Sequence, residues 1–274
     1  IAGLEGLDPE LLTVLAGQAE VRALAAGEAL PPAPEGPRSL RFVIAGRVRT
    51  ESGEAHGPGS LVDAGGARGR GAVALEESLT LALDMDALTE LCEEHFGLLL
   101  AVTRGLARAQ LVRWRARPPA ADAPHPPDRQ RVAALDDLGE RVAFLAGCPA
   151  LAGIPVHSIG QLAQGARALS LRPGELLWSA GEPADSVVAL VDGAVEARAD
   201  GSRFAIGPCA LAGLLESIAA EPRWYTAEAR TPVRALAIDI ASVFDAAEDD
   251  SETAAYLLAA LARSWSLSLE TSAP

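Results

Sequence analysis

All 23 basic residues of this chain are arginine, and lysine is absent. Without an ε-amine there is no lysine phosphate loop, no Schiff-base chemistry and no Ser–Lys hydrolysis. Any anion site must be built from arginine and backbone N–H groups, a pairing that suits a compact phosphate at a short helix start. Arg223, in the run Glu221-Pro222-Arg223-Trp224-Tyr225-Thr226-Ala227-Glu228-Ala229, is the best-placed candidate. An ordinary ion-pair or surface arginine is the alternative reading. Other groupings assemble no chemistry. His56, His95, His125 and His157 are scattered, and Cys92 with His95 supplies two ligands where a zinc site needs more. Ser158 follows His157 but lacks the glycine elbow of a hydrolase nucleophile. The run Gly65-Gly66-Ala67-Arg68-Gly69-Arg70-Gly71 lacks the strand-then-helix context of a phosphate cradle and reads as a shortened loop. We expect no catalytic residue, no metal site and no enzyme.

The elements that must position Arg223 come from an internal repeat. Leu24-Ala25-Ala26-Gly27-Glu28 matches Leu171-Arg172-Pro173-Gly174-Glu175, and Phe42-Val43-Ile44-Ala45-Gly46 matches Ala189-Leu190-Val191-Asp192-Gly193, both 147 residues apart. Further on, Leu83-Asp84 matches Ile238-Asp239 and Leu106-Ala107-Arg108 matches Leu261-Ala262-Arg263, now 155 apart. The second copy therefore carries eight residues that the first lacks, and an indel confined to one place marks a loop. Each copy reads as a helical start (Pro9 to Ala19; Val156 to Ala166), short strands with Gly/Pro turns, and a closing helix. Phe96, Leu99, Val102, Leu106, Leu111 and Trp114 predict that helix in copy one, and residues around 251–268 predict it in copy two. Residues 117–129 form a proline-rich linker, after which Val132, Leu135, Leu138, Val142 and Leu145 predict an amphipathic helix. The fold class is mainly β with flanking α: two tandem β-rolls of jelly-roll type over 1–116 and 130–274.

Composition sets the outer limits. With 274 residues, 49% hydrophobic and 22% charged, the chain is globular and long enough for two domains. A net charge of −14 argues against nucleic acid or anionic membrane as partners, because phosphate surfaces are held by basic charge. The apolar run Leu98 to Val102 is far short of a membrane span and is interrupted by Arg104. Cys92, Cys148 and Cys209 are widely spaced without a CxxC pair and read as reduced thiols, so the expectation is a cytoplasmic protein. Met85 is the only methionine, which leads us to expect further chain before Ile1.

The second copy resembles a cyclic-nucleotide-binding domain, and the whole chain resembles a tandem pair of them. The motifs are Arg172-Pro173-Gly174-Glu175, Ala180-Gly181-Glu182-Pro183-Ala184-Asp185, Val191-Asp192-Gly193, Gly213 and the Glu221–Ala229 run, which resembles a phosphate-binding cassette. The resemblance implies cyclic AMP or cyclic GMP as ligand and no other cofactor. It places Arg223 at the phosphate, Thr226 at the family's threonine, Gly213 before the ribose contact, and Trp265 either in a lid that stacks on the base or at an interdomain or dimer contact. Two departures stand out. Leu214 occupies the ribose-carboxylate position, forfeiting a charged hydrogen bond of about 1.5–3 kcal/mol. Trp224-Tyr225 replaces the small pair after the arginine, so an indole and a phenol stand where the ligand would lie. Glu216, two residues late, substitutes only with a remodelled loop. In copy one Arg68 falls at the phosphate position, Gly71 at the threonine and Asp63 at the carboxylate, with most of the short helix deleted. Two functions follow: a non-enzymatic regulatory sensor with weak or altered nucleotide binding in copy two, or a ligand-free interaction scaffold that kept the fold. Either implies a protein partner or an effector domain, and a homo-oligomer is compatible with both.

Overall fold

The computed structural model describes residues 9–30, 39–50, 53, 55–58, 60–63, 71–116, 135–250, 253, 254 and 256. They divide into two compact units between Ala109 and Gln110. The first contains α1 (Pro9–Gly17), β1 (Ala19–Leu24), β2 (Ala29–Leu30), β3 (Ser39–Ala45), β4 (Val48–Thr50), β5 (Ala55–His56), β6 (Leu61–Asp63), β7 (Ala72–Ala74), β8 (Ser78–Asp84) and α2 (Met85–Glu94). The helix α3 (Phe96–Ala116) spans the division. The second unit follows with α4 (Leu138–Ala146), a 3₁₀ turn (Pro149–Leu151), α5 (Val156–Gly165), β9 (Arg167–Leu171), β10 (Leu176–Trp178), β11 (Ser186–Asp192), β12 (Val195–Ala199) and β13 (Ser202–Ile206). It closes with β14 (Leu211–Ala212), α6 (Leu214–Ala219), β15 (Thr226–Ala229), β16 (Val233–Asp239) and α7 (Ile240–Asp249).

The repeat read from the sequence is a repeat of topology. In the first unit the strands pair as β1-β8-β3-β6 and β2-β7-β4-β5; in the second as β9-β16-β11-β14 and β10-β15-β12-β13. Every pairing is antiparallel. The fold is thus mainly β with flanking helices, each unit two four-stranded antiparallel sheets. Small hydrogen bonds repeat as well: Gly27 N–H donates to Ala74 O and Gly174 N–H to Ala229 O, each at 2.8 Å.

Gly46 and Gly193 close the equivalent turns after β3 and β11. Their φ values are 77° and 91°, and an added Cβ would lie 2.4 Å from Glu77 O and 2.3 Å from Pro232 O. Those contacts are with backbone, which has no rotamer to escape into, so only glycine fits.

The alternating strands β11 and β16 are buried on both faces, because alternate residues enter two different cores. Ala189, Val191, Leu236 and Ile238 pack with Phe144, Leu145, Cys148, Ile159 and Leu162 of the helical cap. Val188, Leu190, Val233, Ala235 and Ala237 pack inward with Trp178, Phe204 and Tyr225. A period of two in sequence thereby serves two apolar layers.

Some sequence expectations are trimmed. The amphipathic helix predicted from Val132 begins, in its described part, at Leu138: Asp137 caps it by accepting from Glu140 N–H at 2.9 Å, and Leu135 lies in the turn ahead. The helical starts end at Gly17 and Gly165, just before the first strand of each unit. Val132, the linker 117–129, Arg68, His125 and Trp265 lie outside the described residues, and of 251–268 only Thr253, Ala254 and Tyr256 are described. Among the described residues, no helix is long and apolar enough to cross a membrane.

Candidate functional site

Part of the second copy's extra length falls around α6 and the loop to β15; the rest precedes β14, where Leu211 pairs with Ala189 as Leu61 pairs with Phe42. Gly213 stands at the N-cap of α6 with φ 75° and no side chain to cap the helix. Ala220, also left-handed at φ 53°, ends it. The loop then runs back along the turn after β10: Arg223 N–H donates to Glu182 O at 2.9 Å, and Gly181 N–H donates to Arg223 O at 2.8 Å. This lattice fixes the Arg223 backbone beside the mouth of the roll.

The Arg223 side chain turns inward and is 3% exposed. Nη1 donates to Gly213 O at 3.1 Å and reaches Ser217 Oγ at 3.5 Å, while Nη2 donates to Ser186 O. Ser217 Oγ lies 2.8 Å and 3.0 Å from those same two carbonyls. The guanidinium carbon sits 4.2 Å from the centroid of the Trp178 ring, a cation–π contact. A Cβ on residue 213 would come within 1.9 Å of Arg223 Nη1, so glycine is what lets the arginine lie here. The cation most suited to hold an anion is instead ligated by the protein's own carbonyls.

The aromatic residues that follow Arg223 also point inward. Tyr225 is 4% exposed and packs edge-on to Trp178 and Phe204, with centroids 5.5 and 5.1 Å away. Trp224 stacks on Phe204 at 5.6 Å and meets Tyr225 edge-on at 5.1 Å. Burial raises the Tyr225 phenol well above its usual range, so it stays neutral. Trp178, Phe204 and Tyr225 belong to one apolar core of the unit, and the half-buried Trp224 packs against it.

Glu216, 2% exposed, is the buried carboxylate of the site. Burial raises its pKa, against the pull of Arg223 and Arg115. Burial likewise lowers Arg223, which as an arginine stays charged. The Trp224 indole faces the Glu216 carboxylate without closing a well-formed hydrogen bond. Among the described residues, Glu216 Oε1, Arg223 Nε, Trp178 Nε1 and Trp224 Nε1 are buried without a hydrogen-bond partner.

The structure therefore brings Gly213 and Arg223 together. Thr226 lies at the start of β15, where its Oγ1 accepts from Ala180 N–H at 3.1 Å, beside the Gly181 N–H that donates to Arg223 O. Trp178, Phe204, Ser186 and Ser217 join the site without having been signalled by the sequence. Trp178 ends a strand two residues after its start, a position that says nothing about which loop crosses over it. No group of three or more His, Cys, Asp or Glu gathers at metal distance among the described residues.

Residues 168–250 match the model of the cyclic nucleotide-binding domain family. No curated protein matches the sequence. Among solved structures, the regulatory domain of Toxoplasma gondii PKA with cAMP aligns at 13% identity and a TM-score of 0.40, covering 97% of this chain and 92% of that one. The N-terminal domain of a transcriptional regulator from Streptomyces coelicolor A3(2) aligns at 26% identity and a TM-score of 0.41, over 48% of this chain and 94% of that one. A regulatory subunit of a cAMP-independent protein kinase A from Trypanosoma brucei aligns at 16% identity and a TM-score of 0.36, over 87% and 78%. Strands β11 and β16, the helix α6 and the Arg223 loop all lie inside residues 168–250, the stretch that resembles the cyclic nucleotide-binding domain family.

Proposed function

We propose that this chain is a non-enzymatic regulatory module whose second domain keeps the cyclic-nucleotide-binding fold and acts through a protein partner or effector domain, with its nucleotide pocket closed by its own side chains. The domains are 1–116 and 130–274, joined by the linker 117–129. The observation that carries the reading is the inward packing of Tyr225 together with the ligation of Arg223 by Gly213 O and Ser186 O. A cyclic phosphate could reach Arg223 only if the guanidinium gave up both carbonyls and the Trp178 stack. Making room for its base and sugar would also expel a buried phenol, about 1.5–3 kcal/mol for a large apolar side chain. Leu214 offers no carboxylate to the ribose in return. The net charge of −14 keeps nucleic acid and anionic membranes off the partner list, and we place the protein in the cytoplasm.

The test is calorimetry of the full chain with cyclic AMP and cyclic GMP, beside Arg223→Ala. We expect no heat of binding at millimolar nucleotide from either protein. Saturable heat in the wild type that disappears in Arg223→Ala would overturn the closed-pocket reading. It would establish the second one, altered nucleotide binding. That reading is favoured by Arg223 Nε, Trp178 Nε1 and Glu216 Oε1, which are buried, close to one another and unpaired.

A further inference from the structure

Cys148 and Cys209 are far apart in sequence but meet in the second unit. Cys148 lies between α4 and the 3₁₀ turn Pro149–Leu151, fully buried in the core beneath the helical cap. Its thiol donates to Phe144 O at 3.5 Å. Cys209 lies in the turn between β13 and β14, half-buried, and packs against that same core. The Cys209 side chain lies close enough to the Cys148 thiol to raise its pKa.

The turn that delivers Cys209 is the informative part. Ala210 N–H donates to Gly207 O at 3.2 Å, Pro208 follows Gly207, and Cys209 has φ 65°. That is the pattern of a type II turn, with proline second and a left-handed third residue, the place where glycine or asparagine is relaxed. Cysteine is strained there. The turn is also pinned to β11, because Cys209 N–H donates to Leu190 O at 2.8 Å and Leu190 N–H to Ala210 O at 3.1 Å. A strained side chain is thus held in place, and it is held against a second thiol.

We propose that Cys148 and Cys209 are a reversible dithiol–disulfide pair that locks the α4 elbow to the β13–β14 turn when the protein meets a hydroperoxide. Cys209 is the accessible partner and reacts first: its sulfur takes the distal peroxide oxygen, giving a sulfenic acid and releasing an alcohol, or water when the oxidant is hydrogen peroxide. The Cys148 sulfur then attacks the Cys209 sulfur, the S–OH bond breaks, and the Cys148 proton leaves with the hydroxyl as water. The peroxide gains the two electrons that the two thiols lose. Burial, with smaller contributions from Cys209, pushes the Cys148 thiol up to about 12. The closing step, which needs the Cys148 thiolate, is therefore slow at neutral pH and quickens as the pH rises.

Intact mass of the full chain after stoichiometric hydrogen peroxide tests this. We expect a loss of about 2 Da, a linked peptide containing Cys148 and Cys209, and a higher thermal midpoint, all reversed by dithiothreitol. Cys92→Ser is expected to behave as the wild type. Cys209→Gly relaxes the turn, so it folds, and it is expected to show no mass loss on oxidation. A Cys209 that accumulates as sulfinic acid, about 32 Da heavier, without a linked peptide would overturn the proposal. So would a 2 Da loss that persists in Cys209→Gly. Neither outcome bears on nucleotide binding, so this proposal stands or falls apart from the closed pocket.

Discussion

The two units share a frame and differ in what the frame holds. Their sheets have the same strand order, and their glycine turns meet the same backbone obstacles. The helices α2 and α7 also begin and end 155 residues apart. Yet the described roll of the first unit is lined by Leu24, Leu30, Val43, Val48, Val62, Ala72 and Ala74, an aliphatic set, whereas the second is filled by Trp178, Phe204, Trp224 and Tyr225. Between β14 and β15 the second unit carries α6 and the Arg223 loop, a stretch five residues longer than that between β6 and β7. In the second unit Arg223 and Tyr225 face inward, where they bond and pack with the domain itself.

The comparison breaks most easily at Tyr225. If its ring is core, Tyr225→Ala costs about 3–5 kcal/mol, the range for emptying a buried aromatic site. Urea unfolding followed by tryptophan fluorescence reads the second unit through Trp178 and Trp224. A cost under about 1 kcal/mol would mean that the ring lies over an open pocket.

Next in size are the paired glycines. Gly46→Ala and Gly193→Ala each place a Cβ against a carbonyl oxygen at positive φ, so each is expected to cost about 2–4 kcal/mol from backbone strain and overpacking. Equal costs sharpen the claim that one frame has been copied. A difference of more than about 1 kcal/mol in midpoint-derived stability would show that the sheets of one unit yield where the other's do not.

What the sequence disclosed was whatever local rules determine. The 147- and 155-residue offsets located both frames because the turns at Gly46 and Gly193 admit one residue type and the intervening strands alternate regularly. Arg223 and Gly213 were legible as neighbours because the cassette is a contiguous stretch. The destination of the Arg223 side chain was not. It depends on Ser186 at the start of β11 and Trp178 at the end of β10, which reach the arginine only once the β10–β15 and β11–β16 pairings form. The bulk of Trp224-Tyr225 is readable without a fold, but not what it packs against: Phe204 belongs to another hairpin and carried no signal of its own.

The smallest expected effect lies on the outer sheet of the second unit, and it again separates the copies. Glu196 on β12 accepts from Arg198 and Arg230, and both arginines also pair with Glu228 on β15 at 3.2 Å. The equivalent first-unit positions to Glu196, Glu228 and Arg230 are Arg49, Val73 and Leu75, which have no such alternation of charge. Hydrogen bonds from Arg230 and Arg198 hold the Glu196 carboxyl at about 2, down from an ordinary value near 4.5. A depressed carboxyl stabilises the fold fully above the ordinary value and loses that contribution as pH falls from about 4.5 towards 2. The arginine side chains are 40% and 41% exposed, so salt screens the network and the effect is small. Carboxyl titration by NMR is expected to find Glu196 well below 4.5, and Glu196→Gln is expected to flatten the acid limb by removing a small, salt-sensitive stabilisation near pH 7 while leaving stability below about pH 2 unchanged. An ordinary titration near 4.5 would show that the charges lie close on the sheet without acting together, and the outer faces of the two units would then differ in composition alone.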